Sequence, residues 1–279
     1  MTLATLSDVL GPARREGYAV AGVVCLGWED MRAYAMAAEA ERAPIILQAG
    51  PSCREHTPLP VLGAMFRTLA ASVDVPVVAH LDHGYTFDEC QAARDAGFTS
   101  LMFDGSRKPL AQNIEETAAV ATLAHESGIS CEGEIGFVGY SGGEASDGTD
   151  PDEAAVFARE TGVDALAVSV GNVHLQENPG AGLDRARIAA IDARTDVPLV
   201  IHGGSGVPLA DRAELAATTA ISKYNIGTEL RMVFGTALRA AIAADPNRFD
   251  RVLILKDTHQ PMFEAARAVI RGLGASGRA

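Results

Sequence analysis

Three histidines follow strand-like runs of the sequence and could together hold a metal ion. His83, His174 and His202 each come directly or shortly after a run of β-branched and apolar residues. If those runs are the parallel strands of a barrel, their carboxyl ends lie on one face, and the three side chains can converge there. Three neutral imidazoles supply nitrogen ligands for a divalent metal and leave one position open for a substrate. The set therefore predicts a catalytic metal centre, although each histidine alone would be interpreted as an ordinary hydrogen-bonding residue.

Two acidic residues follow neighbouring predicted strands and are expected to lie close to the predicted metal centre. Asp104 and Glu134 are candidates either to orient the ligand imidazoles or to hold the ion in a second position. The four remaining histidines are interpreted as ordinary hydrogen-bonding residues: His56, His80, His125 and His259.

Two glycine-containing loops predict a phosphate site beside the metal. The segment HGGSG at 202–206 follows the seventh predicted strand, and NIGT at 225–228 follows the eighth. Barrel enzymes frequently bind phosphate through backbone N–H groups at these two positions. Glycine lets the backbone approach an anion closely, and a helix is predicted to start at Pro208. A phosphate cradle is favoured over a mere tight turn.

The elements that position these residues alternate between strands and amphipathic helices, which predicts parallel strands joined by crossover helices. Turn residues separate the units, and Pro109, Pro151 and Pro208 each precede a helical pattern. Eight strands favour a (β/α)8 TIM barrel over a doubly wound open sheet. The predicted strands are Ala19–Val24, Pro44–Gln48, Val75–Ala79, Ser100–Phe103, Ser130–Ile135, Ala165–Val170, Leu199–Ile201 and Ala220–Ile226.

The bulk properties predict one domain over 1–279, with a mobile active-site loop at about 137–150 that is rich in Gly, Ser and Asp. A net charge of −13 argues against a nucleic-acid partner. Four cysteines without CxxC spacing and the lack of a leader pattern or an 18-residue apolar run predict a cytoplasmic protein without a membrane span.

The motifs together resemble the class II fructose- and tagatose-bisphosphate aldolases. They occur in the family's order: AHLDHGYTFDECQAARDAGFTSLMFDGS, EGEIG, GNVH, PLVIHGGSG and YNIGTELR, over roughly 75–239. The resemblance implies that His83, His174 and His202 hold Zn²⁺ or another divalent metal, and that Asp82 handles the proton of the aldehyde-derived hydroxyl. It implies that the loop residue Glu144 exchanges the proton on the triose carbon.

The resemblance also implies how the other reactants and partners bind. The phosphate of dihydroxyacetone phosphate would be held by Gly203, Gly204, Ser205, Asn225, Ile226, Gly227 and Thr228. A monovalent cation such as Na⁺ or K⁺ near this cradle, and a homodimer or homotetramer, are further expectations. The divalent metal would stabilise the negative charge that develops when the bond beside the ketone breaks.

The chain departs from the family pattern mainly at the aldehyde end of the expected substrate. The first strand ends in VVCLG at 23–27, without the usual asparagine, and AGPS occupies 49–52. Leu175 replaces the Gly expected after the second histidine, and FDRV at 249–252 replaces an Asp-Pro-Arg signal. We therefore predict a ketose 1-phosphate substrate with a non-standard aldehyde end, and a true fructose- or tagatose-1,6-bisphosphate aldolase is the alternative.

Three other functions remain open at this point. A Schiff-base aldolase would need a lysine nucleophile, and of the three lysines only Lys223 lies near a predicted strand end. A metal-dependent hydrolase could use the same histidines and aspartate to activate water. A non-catalytic sugar-phosphate-binding protein is suggested by the altered ends of the first two strands.

Overall fold

Eight parallel strands close into a barrel in the computed structural model, which describes residues 2–177, 180 and 182–279. The barrel strands are β2 (Val20–Val24), β3 (Ile45–Ala49), β4 (Val77–Gly84), β5 (Ser100–Phe103), β6 (Ser130–Ile135), β7 (Ala165–Val168), β8 (Leu199–Ile201) and β9 (Ile221–Ile226), and a short additional strand, β1 (Leu3–Ala4), precedes them. Strands β2 to β9 pair in chain order, and β9 pairs back onto β2. The closure confirms the predicted (β/α)8 barrel and rules out the open sheet, whose edge strands would remain unpaired.

Helices cover the outside of the barrel and connect successive strands. They are α1 (Leu6–Glu16), α2 (Trp28–Glu41), α3 (Pro51–His56), α4 (Leu59–Ala70), α5 (Phe87–Asp95), α6 (Leu110–Glu126), α7 (Pro151–Thr161), α8 (Arg185–Asp192), α9 (Leu209–Thr218), α10 (Thr228–Ala244), α11 (Arg251–Lys256) and α12 (His259–Gly272), with a 3-10 turn at Gly204–Gly206. The two-residue β1 pairs with the amino-terminal end of β4. All the barrel strands except β2 are buried along their whole length, as expected of a parallel sheet covered by helices.

Local capping explains where a helix such as α7 starts and stops. Pro151 occupies the first turn, where its missing N–H costs no hydrogen bond. The side chain of Asp150 accepts hydrogen bonds from the backbone N–H groups of Asp152 and Glu153. The helix ends at Gly162, whose φ of 68° is the left-handed conformation that glycine tolerates best.

One strand differs from its prediction at the point where the chemistry is expected. β4 continues to Gly84 rather than ending near Ala79, so Asp82 and His83 belong to the strand. Its pairing with β5 shifts register between Leu81 and Gly84, and His83 adopts a φ of 55°. A bulge of this kind re-aims side chains and is common beside active sites. The polar sequence HLDHG gives no strand-like pattern, which is why its extension was not predicted.

Polar side chains fill the upper half of the barrel interior in two layers. β4, β6 and β9 each contribute two polar residues at alternate positions, so both point inward. They are His80 and Asp82, Glu132 and Glu134, and Lys223 and Asn225. The first member of each pair is fully buried, and the second lies one layer closer to the carboxyl end of the strands. The two-residue repeat of the strands therefore forms a fully buried lower layer and an upper layer at the barrel mouth.

Two further features concern the helices and the cysteines. No helix in the described ranges is both long and apolar enough to cross a bilayer. The four cysteines, Cys25, Cys53, Cys90 and Cys131, are buried free thiols. Burial raises the pKa of each of these thiols, which keeps them protonated and poorly reactive.

Candidate active site and metal centre

The three predicted histidines meet at the barrel mouth. One ring nitrogen each from His83, His174 and His202 lies within 4.8 Å of those of the other two. Nε2 of His83 is 3.1 Å from Nδ1 of His202. An ion at about 2.0–2.1 Å from each nitrogen requires nitrogens at such close spacing. The histidine geometry therefore fits a single divalent metal.

The strained backbone at His83 is held by an arginine that the sequence did not single out. Arg54 donates hydrogen bonds to the backbone carbonyl oxygens of Ala49 and Asp82 at 2.7 and 2.6 Å, and to that of His83 at 3.0 Å. Glu89 pairs with the same guanidinium at 2.8 Å. Left-handed backbone costs a non-glycine residue about 1–2 kcal/mol, so these contacts help keep the His83 side chain over the mouth.

His174 is anchored to the loop at 137–150 through its backbone. Its N–H donates to the carbonyl of Gly139, and its carbonyl accepts from the N–H of Ser141. The ring of Tyr140 stacks on the His174 imidazole with centroids 5.0 Å apart. Leu175, which stands where the resemblance led us to expect glycine, adopts a φ of 56°. The chain thus keeps the backbone conformation that glycine would normally supply.

Two carboxylates surround His83 on the side away from the pocket. Nδ1 of His83 donates to Asp104 at 2.8 Å, which leaves Nε2 facing the other imidazoles. Oδ1 of Asp104 accepts hydrogen bonds from the backbone and side chain of Ser106, which fix its orientation. Oε2 of Glu134 lies 3.7 Å from His83 and 3.6 Å from His202, and has no hydrogen-bond partner among the described residues. A buried carboxylate oxygen without a partner is costly, and a cation would satisfy it.

The charges of the cluster also favour a cation. Burial raises the pKa of Glu134 well above its usual range, and the neighbouring charge of Asp104 adds to this rise. Burial opposes a charge on His83, yet the carboxylates of Asp82 and Asp104 raise its pKa to about 10. Burial lowers the pKa of His174 to about 4 and holds that of His202 well below its usual range. Those two imidazoles are therefore neutral at physiological pH, as metal ligands must be.

The metal cluster opens into a cavity of about 270 Å³. Asp82 lines it and is held by Asn225, whose Nδ2 donates to Oδ1 at 3.2 Å. Oδ1 of Asp82 is 4.0 Å from Nε2 of His83. A carboxylate so close to the expected ion can exchange a proton with a substrate bound there. Other lining residues are Val24, Gly50, Ser52, Tyr140, Leu175 and Arg231.

The predicted phosphate cradle forms one wall of this cavity. Gly203, Ser205, Gly227 and Thr228 line the wall together with Asn225. Oγ of Ser205 accepts from the backbone N–H groups of Gly227 and Glu229, each at 3.3 Å, at the amino terminus of α10. A Cβ on Gly203 would lie 2.2 Å from the carbonyl oxygen of Val173, so only glycine fits there.

Two members of the predicted cradle do not reach the cavity surface. Gly204 and Ile226 are buried and are not among the residues that line it. A Cβ on Gly204 would lie 3.0 Å from the carbonyl oxygen of Asn225, which shows how closely the two loops pack. These residues shape the cradle from behind.

Two further arginines belong to the cradle and were missed from the sequence. Arg212 on α9 is 2% exposed and donates to the carbonyl oxygens of Val207 at 2.9 Å and Ser205 at 3.1 Å, which fixes the GGSG loop. Arg231 on α10 lines the cavity, with a guanidinium nitrogen 3.3 Å from the position that a Cβ of Gly227 would take. Only the YNIGTELR motif could have signalled Arg231, since it contains that residue.

Glu144 lies outside the cavity in this structure. Its carboxylate pairs with Arg107 at 2.7 Å, and both side chains are more than half exposed. Arg107 also packs over the ring of Phe137, 4.0 Å from its centroid. Tyr140 is the residue of this loop that lines the cavity. Glu144 reaches the metal cluster only if the loop moves and the ion pair with Arg107 breaks.

Comparison with known proteins places this geometry in a family. The family described as "Fructose-bisphosphate aldolase class-II" matches residues 4–278. A fructose-bisphosphate aldolase of Geobacillus stearothermophilus is 34% identical over 288 residues, which cover 100% of this chain and 99% of that protein. The 6-phospho-5-dehydro-2-deoxy-D-gluconate aldolase of Shouchella clausii is also 34% identical, over 291 residues that cover 100% of this chain and 97% of that protein.

A solved structure agrees with these sequence matches. The YdjI aldolase of Escherichia coli superposes with a TM-score of 0.87 at 30% sequence identity, over 99% of each chain. The fold is therefore shared over 99% of both chains.

Proposed function

This chain belongs to the class II fructose-bisphosphate aldolase family, and we propose that it is a metal-dependent aldolase. The proposed reaction is the reversible cleavage of a ketose phosphate to dihydroxyacetone phosphate and an aldehyde. One observation carries the proposal: three imidazole nitrogens converge beside Asp82 in a cavity, one wall of which is formed by the two glycine-containing loops of the proposed phosphate cradle. A substrate that spans the two features would have its reacting carbon atoms near Asp82.

His83, His174 and His202 would hold the metal, with His83 giving up its extra proton when the ion binds. Zn²⁺ is the proposed ion because a set of three histidines is common in catalytic zinc sites. When bound, a divalent ion supplies a Lewis acid that stabilises negative charge on the ketose oxygens. Asp104 and Glu134 are proposed to orient His83 and to compensate the ion's charge, because both lie within 4 Å of its ring.

Asp82 is the proposed proton-transfer residue. In the cleavage direction it accepts the proton of the C4 hydroxyl as the C3–C4 bond breaks, and the aldehyde carbonyl forms at C4. The electron pair of that bond passes to the triose fragment as its enediolate. Asn225 keeps one carboxylate oxygen of Asp82 fixed at 3.2 Å, so the other remains available to the substrate.

Glu144 is the proposed acid for the triose carbon. To act there, it must first move from its position beside Arg107 into the cavity. The enediolate must take up a proton to become dihydroxyacetone phosphate, and Glu144 can deliver it only after leaving Arg107. The glycines at 142 and 143 in the same loop permit such a movement. Tyr140 would meanwhile stay on His174 and form part of the cavity wall.

The substrate class is proposed from the residues that line the cavity. The cradle of Ser205, Gly227 and Thr228 supports a C1 phosphate. Val24 lines the cavity and supplies an apolar surface where the family commonly has asparagine, and its Cγ2 lies 3.0 Å from the position that a Cβ of Gly227 would take. We therefore propose a ketose 1-phosphate whose aldehyde end differs from that of fructose 1,6-bisphosphate. Arg231, which also lines the cavity, favours a substrate with negative charge.

A true fructose- or tagatose-1,6-bisphosphate aldolase is the second candidate. Its support is the 34% identity to the Geobacillus protein, which is described as a fructose-bisphosphate aldolase. The equally similar Shouchella protein is described as acting on a different phosphorylated compound, so this degree of identity is compatible with more than one substrate.

The proposal is tested by supplying dihydroxyacetone phosphate with a panel of aldehydes and measuring carbon–carbon bond formation with and without Zn²⁺. The panel should include D-glyceraldehyde 3-phosphate and unphosphorylated aldehydes of increasing length. We expect zinc-dependent condensation, fastest with an aldehyde other than glyceraldehyde 3-phosphate. Equal or faster turnover of fructose 1,6-bisphosphate would contradict the substrate proposal. Tight ligand binding without any condensation would instead support a sugar-phosphate-binding protein.

A further inference from the structure

A buried ion pair crosses the barrel below the metal cluster. Nζ of Lys223 on β9 lies 2.7 Å from Oε2 of Glu132 on β6, and both side chains are 0% exposed. β7 and β8 lie between these two strands, so the contact spans the barrel interior rather than a neighbouring pair. Neither residue lines the catalytic cavity. Lys223 is therefore not placed as a nucleophile for a Schiff base.

Stability alone is a poor explanation for this pair. Removing two charges from water costs several kcal/mol each, and well-packed apolar residues often replace a buried ion pair without loss. The lack of a side chain at Gly22 also leaves space for Lys223. A Cβ there would lie 2.9 Å from Cε of Lys223 and 2.5 Å from the amide oxygen of Gln48. A strand glycine of this kind marks a close approach that a larger residue would block.

The second oxygen of Glu132 contacts a predicted metal ligand. Oε1 of Glu132 lies 3.1 Å from Nε2 of His202, and the other ring nitrogen, Nδ1, lies 3.1 Å from Nε2 of His83. A neutral imidazole carries a proton on only one nitrogen. If Nε2–H of His202 donates to Glu132, the lone pair of Nδ1 is left to face the metal position. The carboxylate thus selects which nitrogen is available.

Lys223 in turn is held in place by a second acceptor. Nζ lies 3.5 Å from Nε2 of His80, whose Nδ1 is 2.8 Å from Oγ of Ser100. Burial lowers the pKa of His80 well below its usual range, and the charge of Lys223 adds to the effect. A neutral His80 that donates to Ser100 presents a free lone pair to the lysine. Lys223 is therefore held with its ammonium group 2.7 Å from the carboxylate that faces His202, as a charge-assisted hydrogen bond to Glu132.

We propose that Lys223 and Glu132 are positioning residues for His202, fixing its ring orientation and the nitrogen that faces the metal. From the barrel interior to its mouth, the groups follow one another as the ammonium of Lys223, the carboxylate of Glu132, the imidazole of His202 and the proposed metal position. The inference rests on the proposed metal site, but it concerns metal affinity and not the choice of substrate.

The test measures zinc affinity by competition with a chromophoric chelator, in the absence of substrate. Glu132→Gln and the double variant Glu132→Leu with Lys223→Met are compared with the parent chain. The double variant removes both charges together, so it leaves no unpaired buried ion and is expected to fold. We expect zinc affinity to fall about 10- to 100-fold in the double variant, the usual loss when a hydrogen-bonding partner of a ligand is removed. The loss should be smaller in Glu132→Gln, whose amide oxygen can still accept a hydrogen bond from Nε2 of His202.

A second readout and a matched control separate positioning from general stability. The visible spectrum of the Co²⁺-loaded variants should change, because the His202 ligand would be misoriented or lost. Arg267→Met removes one of the two arginines that pair with Glu41 on the outside of the barrel and should leave zinc affinity unchanged. Unchanged zinc affinity and an unchanged Co²⁺ spectrum in a folded double variant would overturn the inference. Zinc binding by the parent without aldol activity would count against the proposed function alone.

Discussion

Two buried carboxylate clusters in this protein are built in opposite ways. Glu41 on α2 accepts hydrogen bonds from Arg267 at 2.7 Å, Arg271 at 3.0 Å and Ser276 at 2.9 Å, so both of its oxygens are satisfied. At the barrel mouth, Glu134 keeps an oxygen without a partner among the described residues, and His83 holds a left-handed backbone. The first cluster joins α2 to the carboxyl-terminal helix, and the second faces a cavity.

The difference separates a stabilising site from a functional one. Native proteins satisfy nearly all buried polar groups, and exceptions and backbone strain concentrate where a ligand or ion completes the arrangement. The Glu41 cluster is complete in the chain alone. In the mouth cluster, the proposed cation would satisfy the oxygen of Glu134 that has no partner among the described residues, so mutations in the two clusters should have different consequences.

The largest effect is expected from His174→Ala. Loss of one of three proposed ligands should weaken zinc binding more than the loss of an outer hydrogen bond, and so by more than about 100-fold. Because a metal contributes several kcal/mol to charge stabilisation, turnover should fall by roughly 10³-fold or more. His125→Ala is the matched control, since that imidazole pairs with Asp164 at the surface. Normal zinc content in the His174 variant would remove His174 from the proposed ligand set.

Asp82→Asn should separate proton transfer from metal binding. The amide is similar in size but cannot accept the hydroxyl proton, so kcat should fall by about 10²- to 10⁴-fold. Zinc content should stay at the parent level, because Asp82 lies 4.0 Å from the nearest imidazole nitrogen and is not needed as a ligand. Steady-state kinetics and metal analysis on the same preparation provide both values. A fall in kcat that zinc addition restores would place Asp82 among the metal ligands instead.

Glu144→Gln should slow one proton step by about 10²-fold. The measurement is solvent deuterium exchange into dihydroxyacetone phosphate, which reports on the triose carbon alone. Arg107→Gln removes the partner that holds Glu144 outside the cavity, so it should leave this exchange as fast or make it faster. Tyr140→Phe is the control on the same loop, since it keeps the ring that stacks on His174. Exchange that depends on the Tyr140 hydroxyl and not on Glu144 would reassign the acid.

The smallest effect on activity is expected from Glu41→Gln, which should act on stability. Burial opposes its charge, but hydrogen bonds from Arg271 and Arg267 lower the pKa of Glu41 from 4.5 to about 2. We expect a loss of about 2 kcal/mol in unfolding free energy, discounted because Arg271 is half exposed. A folded-state pKa below the unfolded value means that this contribution is complete above pH 4.5 and is lost as the pH falls towards 2.

Urea titrations of the Glu41 variant and the parent at pH 7 and pH 3 give the stability difference directly. The difference in unfolding free energy between the parent and the variant should be smaller at pH 3 than at pH 7. The kcat of the variant at pH 7 should equal that of the parent. A Glu41 variant with parental stability but reduced zinc affinity would remove the contrast between the two clusters.

Much of the barrel could be predicted from sequence because strand runs and helix caps are local signals. Ser100–Phe103, Ser130–Ile135 and Leu199–Ile201 were predicted with the bounds that the structure gives. The histidine cluster followed from placing three ligands at strand ends. β4 was predicted too short because its last residues are polar and its bulge depends on pairing with β5.

The supporting residues could not be predicted because their partners are distant in the chain. Arg54 contacts a backbone carbonyl 28 residues away, and Lys223 pairs with a carboxylate 91 residues away. Nothing in the local sequence distinguishes such residues from surface arginines or a nucleophilic lysine. The position of Glu144 also depends on Arg107, 37 residues earlier.

The most direct test of the proposed metal-dependent aldolase is the activity of the metal-stripped protein. The chain is treated with a chelator, its zinc content is measured, and condensation of dihydroxyacetone phosphate with the best aldehyde is followed before and after one equivalent of Zn²⁺ is returned. We predict loss of activity with the metal, recovery with zinc, and no borohydride-trapped adduct on Lys223. Full activity in metal-free protein, or a trapped lysine adduct, would contradict the account.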